Sequence, residues 1–293
     1  MEKKYLVLAY YKYVQVENPH HEVTIHKNFF KNSDAFGRIY ISEEGINGQV
    51  SASEEVAKSY IDWMAGREIF CDIEFKIHEH REHTLHKMTI KYRKELVALK
   101  HKVDLNRNGE HVSPQQWQKM LESGEFVVLD VRNDYEWEIG HFENSEKPDC
   151  RYFRDFPDYA DEFKKKYPED AKIMMCCTGG IRCETFSALL KEHGYKKVYQ
   201  LDGGILKYGL EVGTKHWKGK LFVFDQRLSV QVDNKTELPA ISNCHVCEKS
   251  CDIYYNCVDS RCDRLFLCCD DCQRELKGLC STECLQRAEG TIL

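Results

Sequence analysis

The sequence predicts an α/β and α+β multidomain protein, on three observations. Over residues 1–100, strand-like and helix-like stretches alternate as β-α-β-β-α-β, the ferredoxin-like order. Over 113–213, short apolar runs of the parallel-sheet kind alternate with helical patterns, which predicts one α/β domain. Between 244 and 284 lie ten cysteines, more than packing explains, which predicts a small zinc-type module over 240–293. At 293 residues, 42% hydrophobic and 31% charged, the chain has the length and composition for two or three globular domains.

In the first unit, 5–14 is a strand and 23–35 a helix that stops before Gly37. Residues 37–51 hold a strand, a turn over 44–48 (EGING) and a return strand. The second helix is 53–64, with Ser53 as N-cap and Glu54 and Glu55 in its first turn. Val56, Tyr60, Ile61 and Met64 form its buried stripe. Strands over 71–77 and 88–99 complete the set, in which no independent catalytic set is read.

Residues 76–102 are basic. Lys76, Arg81, Lys87, Lys91, Arg93, Lys94, Lys100 and Lys102 face only Glu79, Glu82 and Glu95, with five histidines and Tyr92 among them. Such a stripe suits phosphate contact, with Lys87, Lys91, Arg93 and Lys94 as its RNA-binding candidates. It equally suits a solvated edge strand and linker, because edge strands carry lysines against mispairing. The net charge of −6 means that any nucleic-acid surface has to be local.

A polar linker (101–113) leads to a helix opened by Ser113-Pro114 and running through Met120. A strand over 126–131 (FVVLDV) follows, then Asp130-Val131-Arg132, Glu136 and Gly140-His141, with Asp130, Arg132 and His141 expected to brace the sheet. Residues 149–155 connect to an amphipathic helix over 159–167. The strand at 173–175 runs into Cys177-Thr178-Gly179-Gly180-Ile181-Arg182-Cys183. A helix over 184–193 follows, with Phe186, Leu189 and Leu190 on one face and Gly194 as its stop. A strand over 198–201 and Asp202-Gly203-Gly204 close the domain, and basic, aromatic 215–227 reads either as an RNA contact or as a joining strand.

Cys177 is the candidate nucleophile. Adjacent glycines let successive N–H groups converge, the helix start adds partial positive charge and Arg182 a full one. A thiol at the mouth of such a cradle ionises readily. Cys176 continues the apolar strand and reads as a core thiol, although counting from it gives the longer Cys-x5-Arg spacing of a phosphate-sized loop. Cys183 is either a resolving thiol or a buried helix thiol. No dinucleotide-binding glycine signature and no His-x-Asp iron motif is present.

The cysteine spacings suit thiolate zinc sites. Eight ligands would hold two ions, one arrangement being Cys244, Cys247, Cys269 and Cys272 at one and Cys257, Cys262, Cys280 and Cys284 at the other, with Cys251 and Cys268 spare; the spacing alone does not fix the pairing and leaves an iron–sulfur cluster open. With no export signal at the N-terminus and no run of membrane-spanning length, these thiols read as metal ligands in a cytoplasmic protein.

The stretch from Cys177 to Cys183 resembles the active-site loop of the rhodanese superfamily, in which a cysteine opens a six-residue loop closed by Arg or Thr and carries a persulfide. Thr178, Gly179, Gly180 and Ile181 are the loop, Arg182 its closing residue. Asp130 to His141 resembles the superfamily's DVR…E…GH signature, without the Pro and Gly that usually follow it. Residues 37–53 (GRIYISEEGINGQVSAS) resemble the acylphosphatase-like N-terminal domain of one rhodanese subfamily. Taken together, the chain resembles the bacterial tRNA uridine(34) hydroxylase family. The resemblance implies O2-dependent 5-hydroxylation of the wobble uridine, presented by the tRNA anticodon loop, with an electron donor that no motif specifies. Two further readings stand beside it: a persulfide sulfurtransferase serving a small acceptor or carrier, and a zinc-module adaptor.

Overall fold

The computed structural model describes residues 4–233 and 235–290. The first three residues, part of the stretch read for an export signal, and the last three of the expected zinc-type module lie outside the described residues. The chain divides into two compact units, 1–102 and 103–293.

The first unit runs β1 (Tyr5–Tyr13), α1 (Pro19–Phe30), β2 (Phe36–Ser42), β3 (Gly45–Ser53), α2 (Glu54–Ala65), β4 (Lys76–His80) and β5 (Met88–Tyr92). The sheet order is β4-β1-β3-β2-β5. The first four are the antiparallel ferredoxin-like set, and β5 is added at the edge, parallel to β2. The core lies between this sheet and the two helices. Tyr60 of α2 and Tyr10 of β1, both buried, meet there through their hydroxyls at 2.5 Å.

Several boundaries differ from the sequence reading, among them the strand expected over 88–99, which ends at Tyr92, and α1, which ends at Phe30 instead of 35. Helix α1 starts at Pro19, earlier than expected, because Asn18 caps it: its side-chain oxygen accepts from the His21 N–H at 3.0 Å. The β2–β3 turn is Glu43-Glu44, and Ile46, Asn47 and Gly48 belong to the strand. Gly48 serves there by lacking a side chain, since a Cβ would stand 2.2 Å from the Tyr10 ring. Strand β4 begins at Lys76 instead of 71, because Lys12 of β1 binds the Ile69 carbonyl at 2.9 Å and the Asp72 carboxylate, holding 69–72 as a loop. Ser53 is the expected N-cap by position, but its hydroxyl donates to Asp34 at 3.1 Å instead of closing on the helix.

In the second unit a four-stranded parallel sheet has the order β6-β10-β9-β7, made of β6 (Glu110–Val112), β7 (Val127–Asp130), β9 (Lys172–Cys176) and β10 (Lys197–Leu201). Four helices belong to this layer: α3 (Pro114–Ser123), α4 (Asp134–Ile139), α5 (Phe156–Lys166) and α6 (Ile181–Glu192). Strand β8 (Gly140–Phe142) and helix α7 (Gly204–Glu211) complete it. Helix α3 carries the Ser113 capping box with Pro114 at its first position. Beyond α7 come β11 (Trp217–Gly219), which pairs with β8, and the hairpin of β12 (Leu221–Phe222) with β13 (Ser229–Val230). The Cys-rich segment contains β14 (Tyr254–Asn256), β15 (Leu265–Leu267), α8 (Asp270–Glu275) and α9 (Thr282–Ala288). Tyr254 and Leu267 pack with Ile139 and Phe222, and the Tyr254 hydroxyl donates to Glu138 and the Tyr135 carbonyl, both at 2.9 Å. No helix among the described residues is long and apolar enough to cross a membrane.

The Asn18 cap yields a direct test. Asn18→Ala should lower stability by about 1 kcal/mol, read as a lower urea midpoint with an unchanged slope.

Candidate active site

Parallel β9 carries the chain to Cys176, and Cys177 stands at its carboxyl end, where open α/β sheets place their ligands. Helix α6 starts at Ile181, three residues earlier than expected. Arg182 and Cys183 therefore belong to its first turn, whose free amides point back at the loop. Gly180, at φ +102°, makes the entry. Helix α7 locks the other side: the Ile205 and Leu206 N–H groups donate to the Cys177 and Thr178 carbonyls, both at 3.0 Å. That approach requires Gly204, because a Cβ there would lie 2.6 Å from the Cys177 carbonyl oxygen.

The Cys177 thiol is fully buried, at the floor of the cradle and not at its mouth as the sequence suggested. The Gly180 N–H donates to its Sγ at 3.1 Å. Burial alone would raise its pKa. A hydrogen bond from Cys183, the Arg182 charge and the amides of Arg182 and Cys183 outweigh burial and lower it to about 6. Cys183 and Cys176, buried without such compensation, are pushed well above the ordinary thiol value. Gly179 marks the open side of the loop, since a Cβ there would meet nothing within 4 Å.

Arg182 does more than face the thiol. Its guanidinium forks onto Glu136 of α4, at 2.5 Å to Oε1 and 2.8 Å to Oε2. Glu136 is fully buried, and it also accepts from the Asn133 N–H at 3.0 Å and the Thr178 hydroxyl at 3.2 Å. Burial would raise its pKa, but the charges of Arg182 and Arg132 hold it below the usual carboxylate range. Arg132, buried too, is held by Asp130 at 2.6 and 2.9 Å and donates to the carbonyls of Glu136 (3.2 Å) and Gly140 (2.6 Å). Asp130 and Arg132 thus brace the strand end to α4, as expected. His141 binds the Trp137 carbonyl at 2.9 Å and stacks on its ring at 3.6 Å. Glu184 pins α6 to the sheet by accepting from Asn108 (2.5 Å), His111 (2.9 Å) and Gln200 (3.2 Å).

The C-terminal cysteines gather as two tetrads, Cys244–Cys247–Cys269–Cys272 and Cys257–Cys262–Cys280–Cys284, in each of which the sulfurs lie within 4.8 Å of one another. Four bonds of about 2.3 Å to a tetrahedral metal put thiolates about 3.8 Å apart. The sulfur pairs Cys247/Cys269, Cys262/Cys280 and Cys280/Cys284 stand at 3.6 Å, so the donor sets fit an ion. Arg287 donates to the Cys284 sulfur at 2.8 Å, a contact that would orient it toward an ion. Cys251 and Cys268, the two spare thiols, are buried outside both tetrads.

In the first unit, Lys87, Lys91, Arg93 and Lys94 are exposed along and beside edge strand β5. Lys76 and His78 are buried in β4 and leave the stripe. Tyr92 is engaged by Glu43 at 3.2 Å.

Residues 5–96 match the model of the UPF0176 acylphosphatase like domain, 113–211 the Rhodanese-like domain and 218–285 the Rhodanase C-terminal domain. The tRNA uridine(34) hydroxylase of Chlamydia abortus is 52% identical over 98% of this chain and 88% of its own length. That of Chlamydia felis is 51% identical over 98% of this chain and 89% of its own.

The chain belongs to the tRNA uridine(34) hydroxylase family.

A solved rhodanese-like domain from an Anabaena protein is also similar, at 22% identity and a TM-score of 0.32, over 37% of this chain and 78% of that domain. Within this hydroxylase-family chain, the structure brings Cys177, Thr178, Gly179, Gly180, Ile181, Arg182 and Cys183 into one loop and helix start. It keeps the basic stripe in the other unit. Sequence reasoning named Glu136 within a signature but gave it no role. Its available signal was Asn133-Asp134-Tyr135-Glu136, a capping-box pattern directly after a strand, which fixes a carboxylate at a helix start.

Two outcomes are expected. Cys183→Ala removes a hydrogen bond to the thiolate and should raise the pH midpoint of Cys177 alkylation from about 6 by about one pH unit, the size of a charged hydrogen bond; an unmoved midpoint would remove Cys183 from the account. Elemental analysis should find two metal ions per chain, falling to one in the double variant Cys269→Ala/Cys272→Ala.

Proposed function

We propose that this chain hydroxylates C5 of uridine 34 in tRNA, with Cys177 as the reacting group and Arg182 and Cys183 as the groups that keep it ionised. The observation that carries this reading is a thiol in an amide-lined loop, its Sγ taking the Gly180 N–H at 3.1 Å beside Arg182, in a chain half identical to relatives named for that activity. The thiolate would add to C6 of uracil, forming the S–C6 bond and moving the ring π electrons to C5. O2 then supplies one oxygen atom to C5, and the second leaves as water, with two electrons and two protons from an external donor. Elimination of the thiolate with loss of the C5 proton restores the ring. Because the sulfur is buried, the base has to enter the loop from the open side at Gly179 and be splayed from its neighbours, as anticodon-loop bases can be.

Both tetrads are assigned to structural zinc. Four thiolates in a closed set are the usual donors for that ion, and the segment has little else to fold around. The exposed cations Lys87, Lys91, Arg93 and Lys94 are assigned to the tRNA backbone, and the protein to the cytoplasm, where thiolates stay reduced. The segments 1–100, 113–213 and 240–293 would then serve as RNA-contacting, catalytic and zinc parts.

The sulfurtransferase reading has no separate observation behind it. Nucleoside mass spectrometry of tRNA from cells lacking the protein and carrying Cys177→Ser should show no 5-hydroxyuridine, with restoration by the wild-type chain. Unchanged 5-hydroxyuridine, alongside robust thiocyanate formation from thiosulfate and cyanide, would overturn the proposal.

A further inference from the structure

Leu221, Phe222 and Val223 are buried, and the next residue in the run, Phe224, is 41% exposed. Its ring lies 5.9 Å from the Arg182 guanidinium, the charge that borders the Cys177 loop. Phe222 packs against the ring and the Arg182 guanidinium lies over it, which leaves the rest of a large apolar ring open to solvent beside the candidate site.

The turn that carries the ring is held by its own hydrogen bonds. The Val223 N–H donates to the Leu228 carbonyl at 2.9 Å and the Leu228 N–H to the Asp225 carbonyl at 3.0 Å. Asp225, buried, accepts from the Arg227 backbone N–H (3.1 Å), Nε (2.9 Å) and Nη2 (2.5 Å). The Phe222 and Phe224 rings pack near-perpendicular with centroids 5.1 Å apart, and Tyr135 packs on Phe222 in the same way at 5.1 Å. Arg151, stacked over Tyr135 at 4.8 Å, is tied to Asp134 at 3.0 Å. What this rim offers is therefore an exposed aromatic ring on an ordered turn, with its neighbouring cations already paired. Arg182, with both terminal nitrogens committed to Glu136, is fixed as well.

We propose that Phe224 is the stacking face for the pyrimidine that enters the Cys177 loop. The assignment rests on the tRNA reading above and adds the residue that positions the base. Stacking tolerates any base, so Phe224 sets affinity and orientation, and selection of uridine falls to the loop. A preorganised ring meets the base with little loss of side-chain freedom.

The test uses the full-length protein and an anticodon stem–loop RNA with uridine at position 34. Phe224→Ala and Phe224→Leu should each raise KM about tenfold, the size of one base–aromatic stack. Phe224→Tyr should stay within about twofold of wild type, because it keeps the ring face. In all three variants the alkylation midpoint of Cys177 should stay at about 6, which separates loss of stacking from damage to the loop. Irradiation of wild-type protein with a stem–loop carrying 5-iodouridine at position 34 should crosslink Phe224. Wild-type KM in Phe224→Leu, a moved thiol midpoint in every variant, or a crosslink mapped elsewhere would overturn the stacking face while leaving the hydroxylation reading in place. Failure of the wild-type protein to bind or hydroxylate the stem–loop would overturn both.

Discussion

The Glu136–Arg182 ion pair is the constraint under the candidate active site. Both side chains are taken out of water, which costs several kcal/mol per ion in a typical interior, about the amount that good geometry and full hydrogen bonding return. Here the geometry is bidentate, and the carboxylate has two further donors, the Asn133 amide and the Thr178 hydroxyl. Neither partner can be lost alone without stranding a buried charge. The pair thereby fixes the first turn of α6 against α4, and that turn carries the amides that face the Cys177 sulfur.

The rest of the second unit is arranged to hold that pair. Asp130 at the end of β7 grips Arg132, and Arg132 grips the backbone of α4, so the helix bearing Glu136 is tied to the same sheet whose next strand, β9, bears Cys177. Helix α7 closes the loop from the other side through two main-chain hydrogen bonds made possible by Gly204. A thiol in an apolar interior would stay protonated. Fixed amides, a guanidinium and a second thiol invert that preference, as electrostatic preorganisation does at oxyanion sites.

The Cys-rich segment belongs to the same compact unit and is not a detached tail. Tyr254 reaches Glu138 and the Tyr135 carbonyl on α4, and Leu267 joins Ile139 and Phe222 in one small core. A structural ion in either tetrad would stiffen the strands that press on α4 and on the hairpin bearing Phe224. The Cys-rich segment packs on the helix that bears Glu136, so folding of one bears on the shape of the other.

Much of this was legible in the residues themselves. The β-α-β-β-α-β order, the strand–glycine–helix passage at Cys177 and the grouping of eight thiols follow from period, turn chemistry and spacing, which are local properties. The starts of α1 and β4 were not legible, because a cap at Asn18 and the grip of Lys12 on the Ile69 carbonyl and Asp72 decided them. The role of Glu136, the full burial of Cys177, and the place of Phe224 beside Arg182 required the fold. Those residues are 46 positions apart in the one pair and a little less in the other. Spacing reports neighbours within a helix, strand or knuckle. Which charge meets which across a sheet is set by how the layers pack, and that packing gave Arg182 a carboxylate and Cys177 its pKa.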